Sequence, residues 1–199
     1  MNLAAIILAG GLSSRMGSFK PLLPLGGMPV LRRTLEAYGG AGLRIICVTG
    51  YRAEELRPVV CDAGAEEAYN AAYETGMFSS VLTGFRRASE LGCDGALVSP
   101  ADCPLVTRGA VARVLERVKT APEELCVAAY RGERGHPLYV PARVFPEILT
   151  HDGEGGLRAV TRRYEQRLVE TDCPGVLVDM DTPEAYRAAL AAYEQQQNL

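Results

Sequence analysis

Short apolar runs alternate with amphipathic helical patterns through most of this 199-residue chain. The runs have the length of strands and cover residues 3–9, 43–49, 95–99 and 125–130. Near-continuous apolar runs are typical of strands that are buried on both faces. The helical patterns between them cover 30–38, 79–91 and 107–120. Strand followed by helix, repeated, predicts an α/β fold with a mostly parallel twisted sheet and helices on both faces, in three layers.

The pattern is looser after residue 130. It predicts strands at 136–140, 168–171 and 176–178, a helix over 155–165, and a last helix capped by Thr182. A length of 199 residues with 48% hydrophobic residues suits one core. We therefore expect one domain over residues 1–199.

Composition excludes several classes of partner. The formal charge of −3 comes from 21 basic and 24 acidic residues without a basic block, and aromatic residues are few, so nucleic acid is not an expected partner. Neither a membrane span nor a signal peptide is visible, which predicts a cytoplasmic protein that does not bind membranes. The six cysteines lack Cys-x-x-Cys spacing, and we expect most of them to be buried small residues.

The loop after the first strand, "LAGGLSSRMGSFKPLL", combines small residues with two cations. These residues are Gly10, Gly11, Ser13, Ser14, Arg15 and Lys20. The spacing fits neither a dinucleotide fingerprint nor a Walker loop. Small residues allow close backbone approach and the cations meet charge, so the loop predicts a polyphosphate site. The alternative is a strand-to-helix turn with incidental charges.

Two further strand ends carry carboxylates. Asp102 lies between prolines in "SPADCPLV", and Asp179 and Asp181 lie in "VDMDTPEAY". Because ligands bind at the carboxyl ends of parallel strands, Asp102 with either Asp179 or Asp181 is a candidate pair for Mg²⁺, which takes one or two carboxylates. Thr182 already explains the start of the last helix as its cap, which leaves Asp181 available for the metal. The alternatives are a turn role for Asp102 and helix-dipole stabilisation by Asp181.

Two more loops are candidate ligand contacts. In "NAAYETGMFSSV" a serine pair, Ser79 and Ser80, opens a helix that could bind an anion or a base, although Ser79 could also be a simple cap. In "RGERGHPLYVP", Arg134 and His136 are candidates for substrate contact, whereas a lone histidine is more often structural than catalytic.

Taken in order, these five segments closely resemble the molybdopterin-type nucleotidyltransferases, in particular the molybdenum cofactor cytidylyltransferase branch. The resemblance implies a Rossmann-like domain of the nucleotide-diphospho-sugar transferase type. Such an enzyme uses Mg²⁺ to join a nucleoside triphosphate to the phosphate of molybdopterin or molybdenum cofactor, with release of pyrophosphate. It also implies a molybdoenzyme or its chaperone as recipient of the product.

The resemblance assigns a role to each site residue. Arg15, Lys20 and Asp102 would be catalytic, and Asp102 and Asp181 would bind the metal. Arg134 and His136 stay the candidates for substrate contact. The nucleotide would lie against Leu8, Ala9, Gly10, Gly11, Ser13, Arg15, Lys20, Asn70, Ser79, Ser80, Pro100 and Ala101. The alternatives are transfer to a sugar 1-phosphate and a carrier without catalysis.

The nucleobase is the point on which the segments disagree. The first loop reads Leu-Ala-Gly-Gly, the form typical of the guanylyl branch, where the cytidylyl branch usually has Leu-Ala-Ala-Gly. The later segments match the cytidylyl branch. We expect CTP to be preferred and GTP to be used, and an alanine in place of Gly10 to sharpen the preference for CTP by removing space.

Overall fold

A computed structural model describes residues 1–12 and 16–197. The predicted roles of Ser13, Ser14 and Arg15 therefore lie outside the described residues. The strands are β1 (Leu3–Leu8), β2 (Pro24–Leu25), β3 (Met28–Pro29), β4 (Arg44–Thr49), β5 (Glu66–Tyr69), β6 (Gly95–Pro100), β7 (Leu125–Tyr130), β8 (Glu133–Pro141) and β9 (Gln166–Glu170). The α-helices are α1 (Val30–Tyr38), α2 (Ala53–Asp62), α3 (Met77–Glu90), α4 (Arg108–Thr120), α5 (Phe145–Thr150), α6 (Gly156–Thr161) and α7 (Pro183–Gln197).

Seven of these strands form one sheet in the order β5-β4-β1-β6-β8-β7-β9. Strand β8 is antiparallel to β6 and β7, and the other neighbouring pairs are parallel. The chain leaves β1 to build β4 and β5 on one side and later places β6 on the other side. This reversal beside β1 is the switch point at which open α/β sheets bind ligands, outside the carboxyl ends of the strands.

Helices cover both faces of the sheet, as the sequence predicts. Successive side chains of a strand point to opposite faces. Ala5 and Ile7 therefore pack in a core with α1, α2 and α4, whereas Ala4 and Ile6 pack in a second core with α3, α5 and α6. The predicted three-layer α/β fold is confirmed.

A smaller core holds the last helix in place. Leu25 of the β2–β3 hairpin and Val30 pack with Leu105, Met180 and Ala189. Tyr186 of α7 also donates a hydrogen bond of 2.6 Å to the carbonyl oxygen of Pro24. These contacts fix the loop before α7, which carries Asp179 and Asp181, near the first loop of the chain.

Some expected elements differ. Residues 176–178 were predicted as a strand, but Pro174–Leu177 forms a 3-10 turn, in which Gly175 lies so close to Leu105 that a Cβ atom would come within 2.0 Å of its carbonyl oxygen. The helix predicted over 155–165 ends at Thr161. Elements α2, β5 and α5 had not been predicted.

Two composition-based expectations can be compared with the structure. Five of the six cysteines are buried and Cys61 is exposed, and all six are free thiols. Within the described residues, no helix combines the length and the apolar character that crossing a membrane requires.

Candidate active site

A cleft of about 500 Å³ opens at the carboxyl ends of β1 and β6. Its walls come from the first loop, the turn before α3, the loop after β6 and the loop before α7. The lining residues include Leu8, Ala9, Gly10, Gly11, Lys20, Ser80, Pro100, Ala101, Asp102, Asp179 and Asp181. The parallel sheet thus brings most of the predicted site residues to one place.

The pairing of β1 with β6 sets the floor of the cleft. The two strands run in parallel with Leu8 opposite Pro100. The N–H of Ala101 then donates to the carbonyl oxygen of Leu8 at 3.0 Å, and the N–H of Ala9 donates to that of Val48 at 2.8 Å. Because these hydrogen bonds continue past the strand ends, the two loops leave the sheet side by side.

Lys20 lies between two carboxylates in this cleft. Its Nζ is 2.5 Å from Oδ2 of Asp102 and 2.8 Å from Oδ1 of Asp181, and its side chain is 15% exposed. Burial lowers the pKa of Lys20, but the hydrogen bonds and charges of the two aspartates outweigh it and leave that pKa raised, so the ammonium stays charged. The predicted phosphate-binding cation and both predicted metal ligands are therefore in direct contact.

A hydrogen bond from α1 holds the loop that carries Asp102. The hydroxyl of Thr34, which is fully buried, donates to the carbonyl oxygen of Ala101 at 2.8 Å. Thr34 was not among the predicted site residues. Its only signal in the sequence is a hydroxyl on the apolar face of α1, between Leu31 and Leu35.

The donor set fits a hard divalent cation that shares its coordination with substrate. Among residues 1–12 and 16–197, no group of three or more His, Cys, Asp or Glu side chains is placed to hold a metal ion alone. Asp102 and Asp181 nevertheless converge on one cation, Lys20 Nζ. Mg²⁺ is usually bound by one or two carboxylates, with water and phosphate oxygens completing its shell.

Asn70 connects the serine pair at the other end of the cleft. Its Nδ2 donates to Oγ of Ser79 at 2.8 Å and to Oγ of Ser80 at 3.0 Å, and its Oδ1 accepts from the N–H of Ala72 at 3.0 Å. Asn70 is 3% exposed. Ser80 lines the cleft, whereas Asn70 and Ser79 are not among the lining residues.

Helix α3 packs closely against β1 and the first loop. Gly84 allows this approach, since a Cβ atom there would lie 2.4 Å from Cγ2 of Ile6. One turn earlier, a Cβ atom on Gly10 would lie 2.7 Å from Oγ of Ser80. Gly10 thus lies directly against Ser80, and the expectation for an alanine at position 10 has to include the displacement of the Ser80 hydroxyl.

Arg134 and His136 lie in different surroundings although they are two residues apart in β8. Arg134 is exposed and its Nη2 donates to Oε1 of Gln166 at 2.5 Å, away from the cleft-lining residues. Burial lowers the pKa of His136, although the negative charges of Asp102 and Asp179 act to raise it. Its buried Nδ1 has no hydrogen-bond partner within the described part of the chain. Neither Arg134 nor His136 is among the residues that line the cleft, and of the two only His136 is influenced by the charges of Asp102 and Asp179.

Fold and site together define a class, the α/β proteins that bind a phosphorylated nucleotide at the carboxyl edge of a parallel sheet. Residues 5–168 match the MobA-like NTP transferase domain, and the chain belongs to this family of nucleotidyltransferases. The family resemblance seen in the five sequence segments is confirmed.

Relatives of similar length carry different names. The molybdenum cofactor guanylyltransferase of Shewanella sp. (strain MR-4) is 28% identical over 209 residues, which cover 98% of each chain. The purine catabolism protein PucB of Bacillus subtilis (strain 168) is 28% identical over 92% of this chain and 94% of its own. The molybdenum cofactor cytidylyltransferase of Escherichia coli (strain K12) is 25% identical over 96% of each.

Solved structures agree with the fold over nearly the whole chain. A nucleotidyl transferase from Methanothermobacter thermautotroptrophicus superposes with a TM-score of 0.83 at 25% identity, covering 98% of this chain and 99% of its own. Rv0371c from Mycobacterium tuberculosis H37Rv, in complex with manganese, gives a TM-score of 0.76 at 25% identity and covers 96% of this chain and 100% of its own.

Proposed function

We propose that this protein transfers a nucleoside monophosphate from a nucleoside triphosphate to the phosphate of molybdopterin or molybdenum cofactor and releases pyrophosphate. The observation that carries the proposal is the contact of Lys20 with Asp102 and Asp181 beside the glycine loop. The names of the Shewanella and Escherichia coli relatives support molybdenum cofactor as the acceptor class.

The reaction needs no nucleophilic side chain. An oxygen of the acceptor phosphate is already anionic and attacks the α-phosphorus of the triphosphate. A phosphorus–oxygen bond forms there, the bond from the α-phosphorus to the oxygen bridging to the β-phosphate breaks, and pyrophosphate leaves with that electron pair. Catalysis then depends on alignment and on charge placed where the leaving group develops.

Charge stabilisation is assigned to Lys20, with Arg15 as a second cation on the sequence-based prediction. The ammonium of Lys20 is held in the cleft that would contain the triphosphate. Asp102 and Asp181 would hold Mg²⁺ or a similar divalent ion, which when bound neutralises phosphate charge. The manganese complex of the Mycobacterium tuberculosis neighbour supports a divalent ion of this kind.

The remaining walls are assigned by position. Leu8, Ala9, Gly10, Gly11, Pro100 and Ala101 line the cleft and would contact the nucleotide, as would Ser13 on the sequence-based prediction. Of the two candidates for substrate contact, His136 has the better support, since it lies in the field of Asp102 and Asp179.

For the nucleobase we propose that CTP is preferred and GTP is used measurably. Ser80 supports this assignment because it lines the cleft and carries a hydroxyl that can form a hydrogen bond with the base edge. The chain resembles relatives named for guanylyl transfer and relatives named for cytidylyl transfer. Comparing kcat/KM for CTP and for GTP therefore tests the base assignment.

Pyrophosphate release with each triphosphate and each acceptor tests the proposal. Activity with molybdopterin or molybdenum cofactor is the expected result. Release only with sugar 1-phosphates would instead identify a sugar nucleotidyltransferase. Tight binding of the cofactor without any pyrophosphate would identify a carrier, and either outcome would refute the proposed reaction.

A further inference from the structure

The side-chain amide of Asn70 has both of its N–H hydrogens bound within the chain and has none left to donate to a base. Its two N–H hydrogens go to the oxygens of Ser79 and Ser80, and its carbonyl oxygen accepts from the N–H of Ala72. Because a backbone N–H can only donate, this last bond fixes which way the amide points. The NH₂ group must therefore face the two serines.

This orientation determines what each serine can do. A hydroxyl has one hydrogen and two lone pairs. Oγ of Ser79 lies 3.0 Å from the carbonyl oxygen of Ala72 and 2.8 Å from that of Gly76, so its hydrogen is used within the chain. Oγ of Ser80 accepts from Asn70, and among the described residues its hydrogen has no acceptor. Ser80 also lines the cleft, so that hydrogen is available to a ligand.

The position of Ser80 beside the first loop indicates which part of a ligand the hydrogen of its hydroxyl would meet. Its Oγ would be 2.7 Å from a Cβ atom on Gly10, so the hydroxyl lies directly against the glycine loop. A triphosphate bound along this loop would bring its nucleoside near Ser80. Ser80 is 4% exposed, so its hydroxyl has little access to water.

We propose that Asn70 is a positioning residue for base selection that does not touch the nucleotide, and that it makes Ser80 a hydrogen-bond donor toward the base. This inference rests on the proposed function. The pairing edge of cytosine offers adjacent acceptors at O2 and N3. Guanine offers the donors N1–H and N2–H₂ on the same edge, with O6 as its acceptor. A fixed donor therefore favours cytosine.

The substitution Asn70→Asp tests the proposal because it keeps the shape and replaces the donating NH₂ by an accepting oxygen. The hydroxyl of Ser80 then turns to donate to residue 70 and presents lone pairs to the base. We expect the ratio of kcat/KM for CTP to that for GTP to fall by about tenfold or more. An unchanged ratio in a folded Asn70→Asp variant would overturn the proposal.

A double-mutant cycle separates action through Ser80 from direct contact. In the Ser80→Ala background, Asn70→Asp should leave the CTP to GTP ratio unchanged. An equal shift in both backgrounds would show that Asn70 acts on the base by another route. Ser79→Ala is the matched control and should keep the wild-type ratio, because the hydrogen of Ser79 is already used by main-chain oxygens.

Two measurements keep the proposal testable if a variant or the proposed reaction fails. If Asn70→Asp does not fold, Ser80→Ala must lower the CTP to GTP ratio while Ser79→Ala leaves it unchanged. Equal ratios in the two serine variants would refute the proposal that Ser80 is the donor to the base. Direct titration of CTP and GTP gives the ratio of Kd values without any acceptor. Lack of pyrophosphate release then contradicts the proposed function, while the Kd ratio still decides the role of Asn70.

Discussion

Replacing Lys20 by methionine should change two properties of the protein in opposite directions. Methionine keeps the length of the side chain and removes the charge that lies 2.5 Å from Asp102 and 2.8 Å from Asp181. Turnover should fall by on the order of 10²-fold, as happens when a preorganised charge-stabilising donor is lost. The affinity of the nucleotide-free protein for a divalent cation should rise, because the two carboxylates lose the cation they share.

The size of the second effect follows from exposure. The Asp102 side chain is 14% exposed and that of Asp181 is 48% exposed, so solvent screens one half of the pair. We therefore expect about tenfold tighter binding, equivalent to about 1.4 kcal/mol. Mn²⁺ titration followed by electron paramagnetic resonance measures it, with pyrophosphate release for turnover. The exposed Lys119→Met is the control, and near wild-type turnover with unchanged Mn²⁺ affinity in Lys20→Met would refute the assignment.

Four further substitutions test the site and the core. Gly10→Ala should lower the CTP to GTP ratio of kcat/KM by about tenfold, since the methyl displaces the Ser80 hydroxyl and one hydrogen bond is lost, and a rise in the ratio would contradict this. Asp102→Asn should abolish metal-dependent turnover and Asp181→Asn should raise the metal concentration needed, and an unchanged requirement in the second variant would show that another group binds the metal. Burial raises the pKa of the Cys126 thiol from 9.0 to about 12, so its contribution to stability is intact below 9.0 and is lost as pH rises toward 12. Urea unfolding on either side of this pH range should show that the free energy of unfolding falls less in Cys126→Ala than in the wild type. An equal fall in the two proteins would contradict the linkage.

The central part of the fold is readable from the sequence because its strands are buried on both faces. The predicted runs at 3–9, 43–49 and 125–130 correspond to β1, β4 and β7 with ends that differ by at most one residue. Strand β5 was missed because its first residues are Glu66 and Glu67, which pair with arginines on neighbouring helices. Its strand form depends on pairing with β4, which no local pattern records.

The candidate site is readable only in part. Parallel strand ends predict that Lys20 and Asp102 approach one another, because both follow strands at the same edge of the sheet. The direct contact of Lys20 with Asp181 spans 161 positions and depends on how α7 packs against the β2–β3 hairpin. No spacing in the sequence contains that information.

The contact between Gly10 and Ser80 changes how the two branch signatures of the sequence are interpreted. Taken separately, the glycine favours a guanylyl enzyme and the serine pair favours a cytidylyl enzyme. In the structure a Cβ atom on residue 10 would lie 2.7 Å from the serine oxygen, closer than real Cβ contacts come. An alanine at position 10 would therefore have to displace the hydroxyl of Ser80, whichever base is bound. Gly10 thus has a structural reason that does not depend on a larger base, and under the role proposed for Asn70 the choice between CTP and GTP depends on the hydroxyl of Ser80.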